Sequence, residues 1–144
     1  MKRVYPVEDV CMGCKLCEVA CITEHSVSKN PVKAYKDEIT PLTRTRVEER
    51  GGVSLSLNCR HCEEPSCVFS CITGAMTKQE DGKVIVNEEK CIGCWMCLMS
   101  CQYGMIERKL SNKTASKCDL CPDRETPACV SACPNRALVF EERE

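Results

Sequence analysis

The densest group of chemically active side chains is a cysteine run near residue 100. Cys91, Cys94, Cys97 and Cys101 follow one another with the spacing C-x2-C-x2-C-x3-C. This is the bacterial spacing for 4Fe-4S ligands, in which three closely spaced thiolates hold three irons of one cluster. The fourth cysteine of such a run ligates the neighbouring cluster. The run therefore predicts a second cluster and a second run of cysteines.

The chain contains four such runs, which we number one to four in chain order. Runs one and three have the tight spacing, while runs two and four widen only the gap between their second and third cysteines, to four and seven residues. Together they use all sixteen cysteines, so we expect four 4Fe-4S clusters. Runs one, two and four are Cys11, Cys14, Cys17, Cys21; Cys59, Cys62, Cys67, Cys71; and Cys118, Cys121, Cys129, Cys133.

Structural zinc and disulfides are the alternative uses of so many cysteines. A zinc site with four cysteine ligands usually joins two C-x2-C pairs across roughly a dozen or more residues, unlike the tight runs. A disulfide scaffold is typical of secreted chains, whereas this sequence begins without a signal peptide. A structural zinc-binding interaction protein remains the alternative from another functional class.

Apart from cysteine, the apolar content is small. The 144 residues include one Trp, two Phe and three Tyr, and sixteen of the residues counted as hydrophobic are cysteines. Metal binding must therefore supply much of the folding free energy. The formal net charge is -1. Four dianionic clusters would bring it to roughly -9, so we expect no binding to nucleic acid.

The sequence also bears on location. It has no run of eighteen apolar residues, and its start has neither a hydrophobic leader nor a twin-arginine signal. We therefore expect no insertion into a membrane and a cytoplasmic location. Thiolates need a reducing compartment and exposed clusters are degraded by oxygen, which favours an anaerobic host.

Short strands are predicted around and between the runs. Residues 2–7 and 137–140 are expected to pair, which would join the two termini. Three hairpins are predicted, with turns near residues 50–52, 80–82 and 111–112. After runs two, three and four, an apolar residue stands five positions beyond the last cysteine, where the chain would re-enter a sheet. These residues are Met76, Ile106 and Leu138.

Connection length predicts how the runs pair. Runs two and three are joined by one compact hairpin, which suits a two-cluster ferredoxin unit over residues 58–109. Runs one and four would form the other unit, residues 1–25 plus 110–144, and residues 26–57 would be an insertion with a hairpin. The expected fold class is α+β, with two ferredoxin-like units and little regular secondary structure. The rival pairing, run one with two and run three with four, stays open.

On the favoured pairing, the last cysteine of each run crosses to the cluster of its partner run. No run lacks a cysteine, so no iron is left open for catalysis and no catalytic residue is predicted. The expected ligand sets are Cys11, Cys14, Cys17 with Cys133; Cys118, Cys121, Cys129 with Cys21; Cys59, Cys62, Cys67 with Cys101; and Cys91, Cys94, Cys97 with Cys71.

Other side chains near the cysteines have simpler interpretations than ligation. His61 lies inside run two, but a fourth cysteine is available there, so we expect it beside the cluster or at the surface. His25 is expected at the solvated surface. The same position is favoured for Lys15, Arg60, Lys117 and Arg124, whose alternative roles are to adjust cluster potentials or to dock a partner. Trp95 is expected to shield a cluster from water, and Met99 to fill the core.

The alternation of tight and widened runs resembles the four-cluster electron-transfer subunits of the dimethyl sulfoxide reductase type. The resemblance covers nearly the whole chain and implies two ferredoxin units related by a pseudo-twofold axis, with the clusters in a line. A closer likeness is to the short CooF-type ferredoxin that accompanies carbon monoxide dehydrogenase. The motifs that carry it are Cys59-Arg-His-Cys62, Cys91-Ile-Gly-Cys94-Trp95, Lys117-Cys118-Asp-Leu-Cys121-Pro and Ala132-Cys133-Pro-Asn-Arg-Ala-Leu-Val-Phe140.

This resemblance implies a protein without catalytic activity of its own that relays single electrons through four 4Fe-4S clusters. The implied donor is a carbon monoxide dehydrogenase, and the implied acceptor is a flavin NAD(P)H oxidoreductase. Similar small subunits serve tungsten aldehyde oxidoreductases, hydrogenases and formate dehydrogenases, which remain alternative partners.

Overall fold

The computed structural model describes residues 1–143, which form short strands and short helices around the cysteine runs. No helix in this range has both the length and the apolar composition needed to cross a bilayer. The strands are β1 (Arg3–Pro6), β2 (Thr45–Arg50), β3 (Val53–Asn58), β4 (Met76–Lys78), β5 (Val84–Val86), β6 (Ile106–Lys109), β7 (Thr114–Lys117) and β8 (Leu138–Glu141). The helices are α1 (Leu16–His25), α2 (Pro31–Ala34), α3 (Ser66–Phe69), α4 (Met96–Ser100) and α5 (Ala128–Ser131), with a 3-10 turn at Glu8–Val10.

These strands pair in four separate antiparallel sheets of two strands each. The predicted pairing of the termini is confirmed, because β1 lies against β8 with Val4 opposite Phe140. The three predicted hairpins are confirmed as β2–β3, β4–β5 and β6–β7. The α+β architecture with little regular secondary structure is thereby confirmed as well.

Three strands begin at the positions that the cysteine runs predicted. β4, β6 and β8 start at Met76, Ile106 and Leu138, each five residues beyond the last cysteine of a run. The first run is followed instead by the longest helix, α1, which continues to His25. The end of each of the other three runs is therefore held close to a sheet.

The two tight runs share one backbone conformation. Gly13 and Gly93, the residues before the second cysteine, have φ angles of 70° and 69°. Lys15 and Trp95, the residues after it, have φ angles of 61° and 63° and are the N-caps of α1 and α4. Left-handed backbone costs a non-glycine residue roughly 1–2 kcal/mol. The same unfavourable conformation in both runs indicates that cysteine placement determines the path of these loops.

The two widened runs also resemble each other. The helices α3 and α5 each have four residues, and each follows a proline, Pro65 or Pro127, at the N-cap. Proline lacks a backbone N–H and fixes φ near its helical value, so it suits the start of a helix. Each helix begins just before or at the third cysteine of its run, so the widened gap is a loop that ends at the proline.

The apolar core has two parts, and each includes cysteines. One contains Val4, Val47 and Leu138 together with Cys17, Cys59, Cys118 and Cys129. The other contains Met76, Val84 and Ile106 together with Cys97. Thiols thus occupy positions that larger aliphatic side chains would fill in a chain with a conventional core.

The hairpin β2–β3 packs on the terminal sheet and on α1. Its Val47 belongs to the same core part as Val4 and Leu138, and Leu57 packs against that part. β3 contacts β1, and β2 contacts α1. The hairpin predicted as part of an insertion over residues 26–57 therefore contributes side chains to the core, while the division of the chain into two units stays a prediction.

We expect Gly93→Ala to destabilise the folded protein far more than Gly104→Ala. Both glycines have positive φ angles, 69° and 61°, but a Cβ atom at residue 93 would lie 2.3 Å from the carbonyl oxygen of Lys113. No atom lies within 4 Å of a Cβ atom at residue 104. The expected loss for Gly104→Ala is the backbone cost alone, about 1 kcal/mol.

The measurement is thermal unfolding of both purified iron-loaded variants under anaerobic conditions. Equal melting temperatures for the two variants would contradict the close contact between run three and the β6–β7 turn.

Candidate metal centre

All sixteen cysteines lie in the described range as free thiols, and no disulfide joins any two of them. The disulfide alternative is therefore wrong for this structure. Nine of the thiols belong to the two core parts or pack against them. Cys14 and Cys94, the second cysteines of the tight runs, are exposed. The other fourteen are buried or half-buried.

Helix packing brings run one to run four and run two to run three. α1 packs against α5, and α3 packs against α4. A small cavity lies between run one and run four, and the apolar residues that line it include Val47 and Leu138. The cysteines that line this cavity are Cys11, Cys14, Cys17 and Cys133.

The last cysteine of each run lies close to thiols of the partner run. The negative charge of Cys133 contributes to the raised pKa of Cys17, although burial is the main cause of that shift. In the same way, burial first and then the charge of Cys21 raise the pKa of Cys129 to about 12. These proximities bring together two of the four predicted ligand sets.

The same relation holds between runs two and three. Burial is the main cause that raises the pKa of Cys67 to about 11, and the negative charge of Cys101 adds to it. Burial also raises the pKa of Cys97, with a further contribution from Cys71. The structure thus brings the four cysteines of each predicted set to one region, while ligation itself stays a prediction.

Burial makes free thiolates unfavourable at several cysteines of this centre. It raises the pKa of Cys118 well above the ordinary value for a thiol, as it does for Cys129 and Cys67. At neutral pH these groups hold their protons unless a cation replaces them. Binding of iron must therefore release protons, and it supplies the positive charge that stabilises the buried sulfur anions.

Backbone N–H groups donate to several of these sulfur atoms. The N–H of Ala137 lies 3.1 Å from Cys133 Sγ, and the N–H of Met76 lies 3.4 Å from Cys71 Sγ. Both donors stand where the chain enters a strand after a run. Such bonds favour the anionic form of sulfur and are among the ways in which a protein sets the potential of an iron-sulfur cluster.

His61 provides a test of whether this centre fits a cluster. Its side chain is 1% exposed, and Nδ1 accepts the N–H of Val84 at 3.0 Å, so in the neutral ring the hydrogen is on Nε2. Burial, aided by nearby positive charge, lowers the pKa of His61 to about 3 and keeps the ring neutral. Nε2 is buried without a hydrogen-bond partner among residues 1–143. A buried N–H donor beside cysteines suits the sulfur atoms of a cluster, so the residues fit this group.

His25 belongs to an ion-pair network, and the expectation that it lies at the surface is wrong. Nδ1 donates to the carbonyl of Cys21 at 2.8 Å, and Nε2 donates to Asp119 at 3.2 Å. Arg44 lies 2.5 Å from the other carboxylate oxygen of Asp119. Burial by itself lowers the pKa of His25, but the hydrogen bonds to Asp119 and Cys21 outweigh it and raise the pKa to about 9.

This network accounts for a group that could otherwise suggest zinc. The ligand atoms of His25, Asp119 and Cys121 lie within 4.8 Å of one another. The Asp119 carboxylate, however, already binds the guanidinium of Arg44 and the ring of His25. Two positive groups on one carboxylate oppose a further cation, so this group is better explained as an ion pair than as a zinc site.

Three other side chains differ from or qualify what the sequence suggested. Met99 is 83% exposed, so the expectation that it fills the core is wrong. Lys117 is 3% exposed, so its expected surface position is also wrong. Trp95 is half-buried, and the guanidinium of Arg108 lies 5.5 Å from its ring centroid. Its predicted role of shielding a cluster stays a prediction.

The buried lysine could have been noticed from its strand. All four residues of β7, Thr114–Lys117, are buried, and the first three are small. Small residues on both faces allow other elements to approach closely, so the strand is covered on each side. The sequence signal for a buried lysine is therefore a strand of small residues that ends in a lysine next to a cysteine.

Cysteine spacing, free thiols grouped between short antiparallel sheets and N–H donors to sulfur together define a ferredoxin-like iron-sulfur protein. Comparison with known families agrees: residues 52–143 match the 4Fe-4S dicluster domain. The chain belongs to this family, and its cofactors are 4Fe-4S clusters.

Two relatives and one solved structure are similar to most of the chain. A subunit of the anaerobic dimethyl sulfoxide reductase of Escherichia coli is 39% identical over 150 residues, covering 90% of this chain and 68% of the relative. Electron transport protein HydN of Escherichia coli is 34% identical over 149 residues, covering 92% and 83%. One polypeptide of the active site complex BamBC of benzoyl coenzyme A reductase superposes with a TM-score of 0.53 and 26% identity, covering 99% of this chain and 78% of its own length. The chain is thus an iron-sulfur electron-transfer protein of the dimethyl sulfoxide reductase and HydN type.

We expect Asp119→Asn to lower the free energy of unfolding by about 2 kcal/mol, because it leaves Arg44 and the protonated His25 without their shared carboxylate. The measurement is the melting temperature of the iron-loaded protein under anaerobic conditions. Asp123→Asn is the matched control, since Asp123 is exposed four residues further along the chain and should change stability by less than about 0.5 kcal/mol. A variant of Asp119 as stable as the control would mean that the network is not stabilising.

Proposed function

We propose that this chain relays single electrons between a catalytic redox enzyme and an acceptor through four 4Fe-4S clusters. The proposed ligands are the four crossed sets, in which the last cysteine of each run joins the first three of its partner run. The sets are Cys11, Cys14, Cys17, Cys133; Cys118, Cys121, Cys129, Cys21; Cys59, Cys62, Cys67, Cys101; and Cys91, Cys94, Cys97, Cys71.

The observation that carries this proposal is the cavity between run one and run four. It is lined by three cysteines of run one and by Cys133, which lies 116 positions after Cys17 in the sequence. If run one paired with run two instead, Cys133 of run four would not be expected to line a cavity with the cysteines of run one. Packing of α1 on α5 and of α3 on α4 supports the same crossing for the other sets.

The chain's own residues provide what such a relay requires. Bound clusters would each accept and release one electron at a time. The protein fixes their positions on short strands, donates backbone N–H groups to the cysteine sulfur atoms and excludes water with apolar walls. The exposed cysteines of the two tight runs, Cys14 and Cys94, provide two places where a redox partner would approach the relay.

The enzyme that we propose as donor is a carbon monoxide dehydrogenase, with a flavin NAD(P)H oxidoreductase as acceptor, in the cytoplasm of an anaerobic host. Support for this pair comes from the motifs of the CooF-type ferredoxin. The relatives named above support the coarser statement that the chain serves an oxidoreductase complex and is not its catalytic subunit. Tungsten aldehyde oxidoreductases, hydrogenases and formate dehydrogenases are the other outcomes of the partner test.

Cys133→Ala tests the crossing of the ligands. It should damage the cluster held by Cys11, Cys14 and Cys17 and leave the one held by the other cysteines of run four intact. Electron paramagnetic resonance of the reduced protein, with iron analysis, measures which signal is lost. Cys71→Ala is the matched variant in the other unit and should affect the cluster of run three. If each variant instead lost the cluster of its own run, the crossing would be wrong.

Anaerobic purification of the tagged protein from its native host tests the function as a whole. We expect about sixteen irons per chain, together with a carbon monoxide dehydrogenase identified by mass spectrometry. The same iron content with an aldehyde oxidoreductase, a hydrogenase or a formate dehydrogenase would support the proposed electron relay and identify a different donor enzyme. Four zinc ions in place of iron would overturn the proposal and favour a structural interaction protein.

A further inference from the structure

Lys117 is a buried lysine that forms no ion pair with any acidic residue among residues 1–143. Its side chain lies at the end of β7 and is 3% exposed. Lysine is almost never buried to this extent unless it is paired. Its ammonium group donates to the carbonyl oxygens of Val84 and, at 2.9 Å, Cys118. No salt bridge within residues 1–143 involves it, so its hydrogen bonds are satisfied while its charge is not balanced by a carboxylate.

The position of Lys117 joins the two predicted ferredoxin units. Val84 belongs to the hairpin that connects runs two and three, whereas Cys118 is the first cysteine of run four. His61 of run two accepts a hydrogen bond from the N–H of Val84, and the Lys117 ammonium group donates to the carbonyl of the same residue. Lys117 therefore lies at the boundary between run two and run four.

The electrostatic environment agrees with this position. Burial is the main cause of the raised pKa of Cys67, and the positive charge of Lys117 opposes it. Burial likewise raises the pKa of Cys118, and Lys117 again acts in the opposite direction. The ammonium group thus favours negative charge on sulfur in runs two and four, on both sides of the unit boundary.

A second lysine shows that this burial is not a consequence of sequence position. Lys90 immediately precedes Cys91, as Lys117 immediately precedes Cys118. Lys90 is exposed, however, and it makes no salt bridge in the described part of the chain. The two lysines have the same relation to the first cysteine of a run and differ in burial.

We propose that Lys117 is an internal counter-cation that raises the reduction potentials of the two clusters on either side of the unit boundary, those of the sets containing Cys67 and Cys129. The inference rests on the proposed function. An electron that arrives from the donor enzyme adds one negative charge, and a nearby buried cation stabilises that charge. No bond is formed or broken in this step, and the electron leaves to the acceptor.

Lys117→Met and Lys117→Gln test the proposal, because each removes the charge and keeps a long side chain. Lys90→Met is the matched control. The iron-loaded proteins are titrated potentiometrically and followed by electron paramagnetic resonance, with signals assigned by Cys67→Ser and Cys129→Ser. Both uncharged variants should lower the potentials of the two flanking clusters by about 59 mV, equal to tenfold weaker binding of one electron. Lys90→Met should shift none.

Unchanged potentials in both uncharged variants, or an equal shift of all four clusters, would overturn the proposal. If the uncharged variants lose iron, Lys117→Arg distinguishes the two explanations. Retention of all clusters by the arginine variant would support a requirement for positive charge. Loss of iron from the arginine variant as well would assign Lys117 a packing role and overturn the proposal. A wild-type protein with far fewer than about sixteen irons would instead count against the cluster assignment, so the two failures are distinguishable.

Discussion

The structure depends on the binding of buried thiolates to positive charge. Seven of the sixteen cysteines are buried and seven are half-buried, and burial raises the pKa of thiols such as Cys118 and Cys129. A chain that buries these groups as anions must supply cations to them, and iron is the cation that the spacing of the runs selects. The apolar core is therefore arranged around the sulfur atoms, with Val4, Val47 and Leu138 packed among cysteines rather than among one another alone.

The secondary structure follows from the same requirement. Strands of three to six residues in separate pairs would be marginal by themselves. Each hairpin or strand pair instead lies next to a run, and several give it a backbone N–H, as Met76 and Ala115 do for Cys71 and Cys91. The backbone of the tight runs also follows cysteine placement. Lys15 and Trp95 adopt an unfavourable left-handed conformation, which lets neighbouring cysteines face the same region.

Local patterns in the sequence were sufficient for the features that depend on spacing. The four runs, the hairpins and the strand starts five residues after Cys71, Cys101 and Cys133 could be predicted because each involves residues close together in the chain. The positions of His25 and Lys117 could not. His25 binds Asp119, 94 positions away, and Lys117 binds the carbonyl of Val84, 33 positions away. Such partners depend on how the units pack, which no local periodicity records.

The exposure of their cysteines divides the runs into two kinds. Runs one and three each expose a cysteine, Cys14 or Cys94, to solvent, where water and a redox partner can respond to added charge. Runs two and four expose none and lie beside Lys117. Less water reaches these sites to respond to added charge, and a fixed ammonium group can take over part of that role. The buried lysine would thus compensate for the limited contact of these runs with solvent.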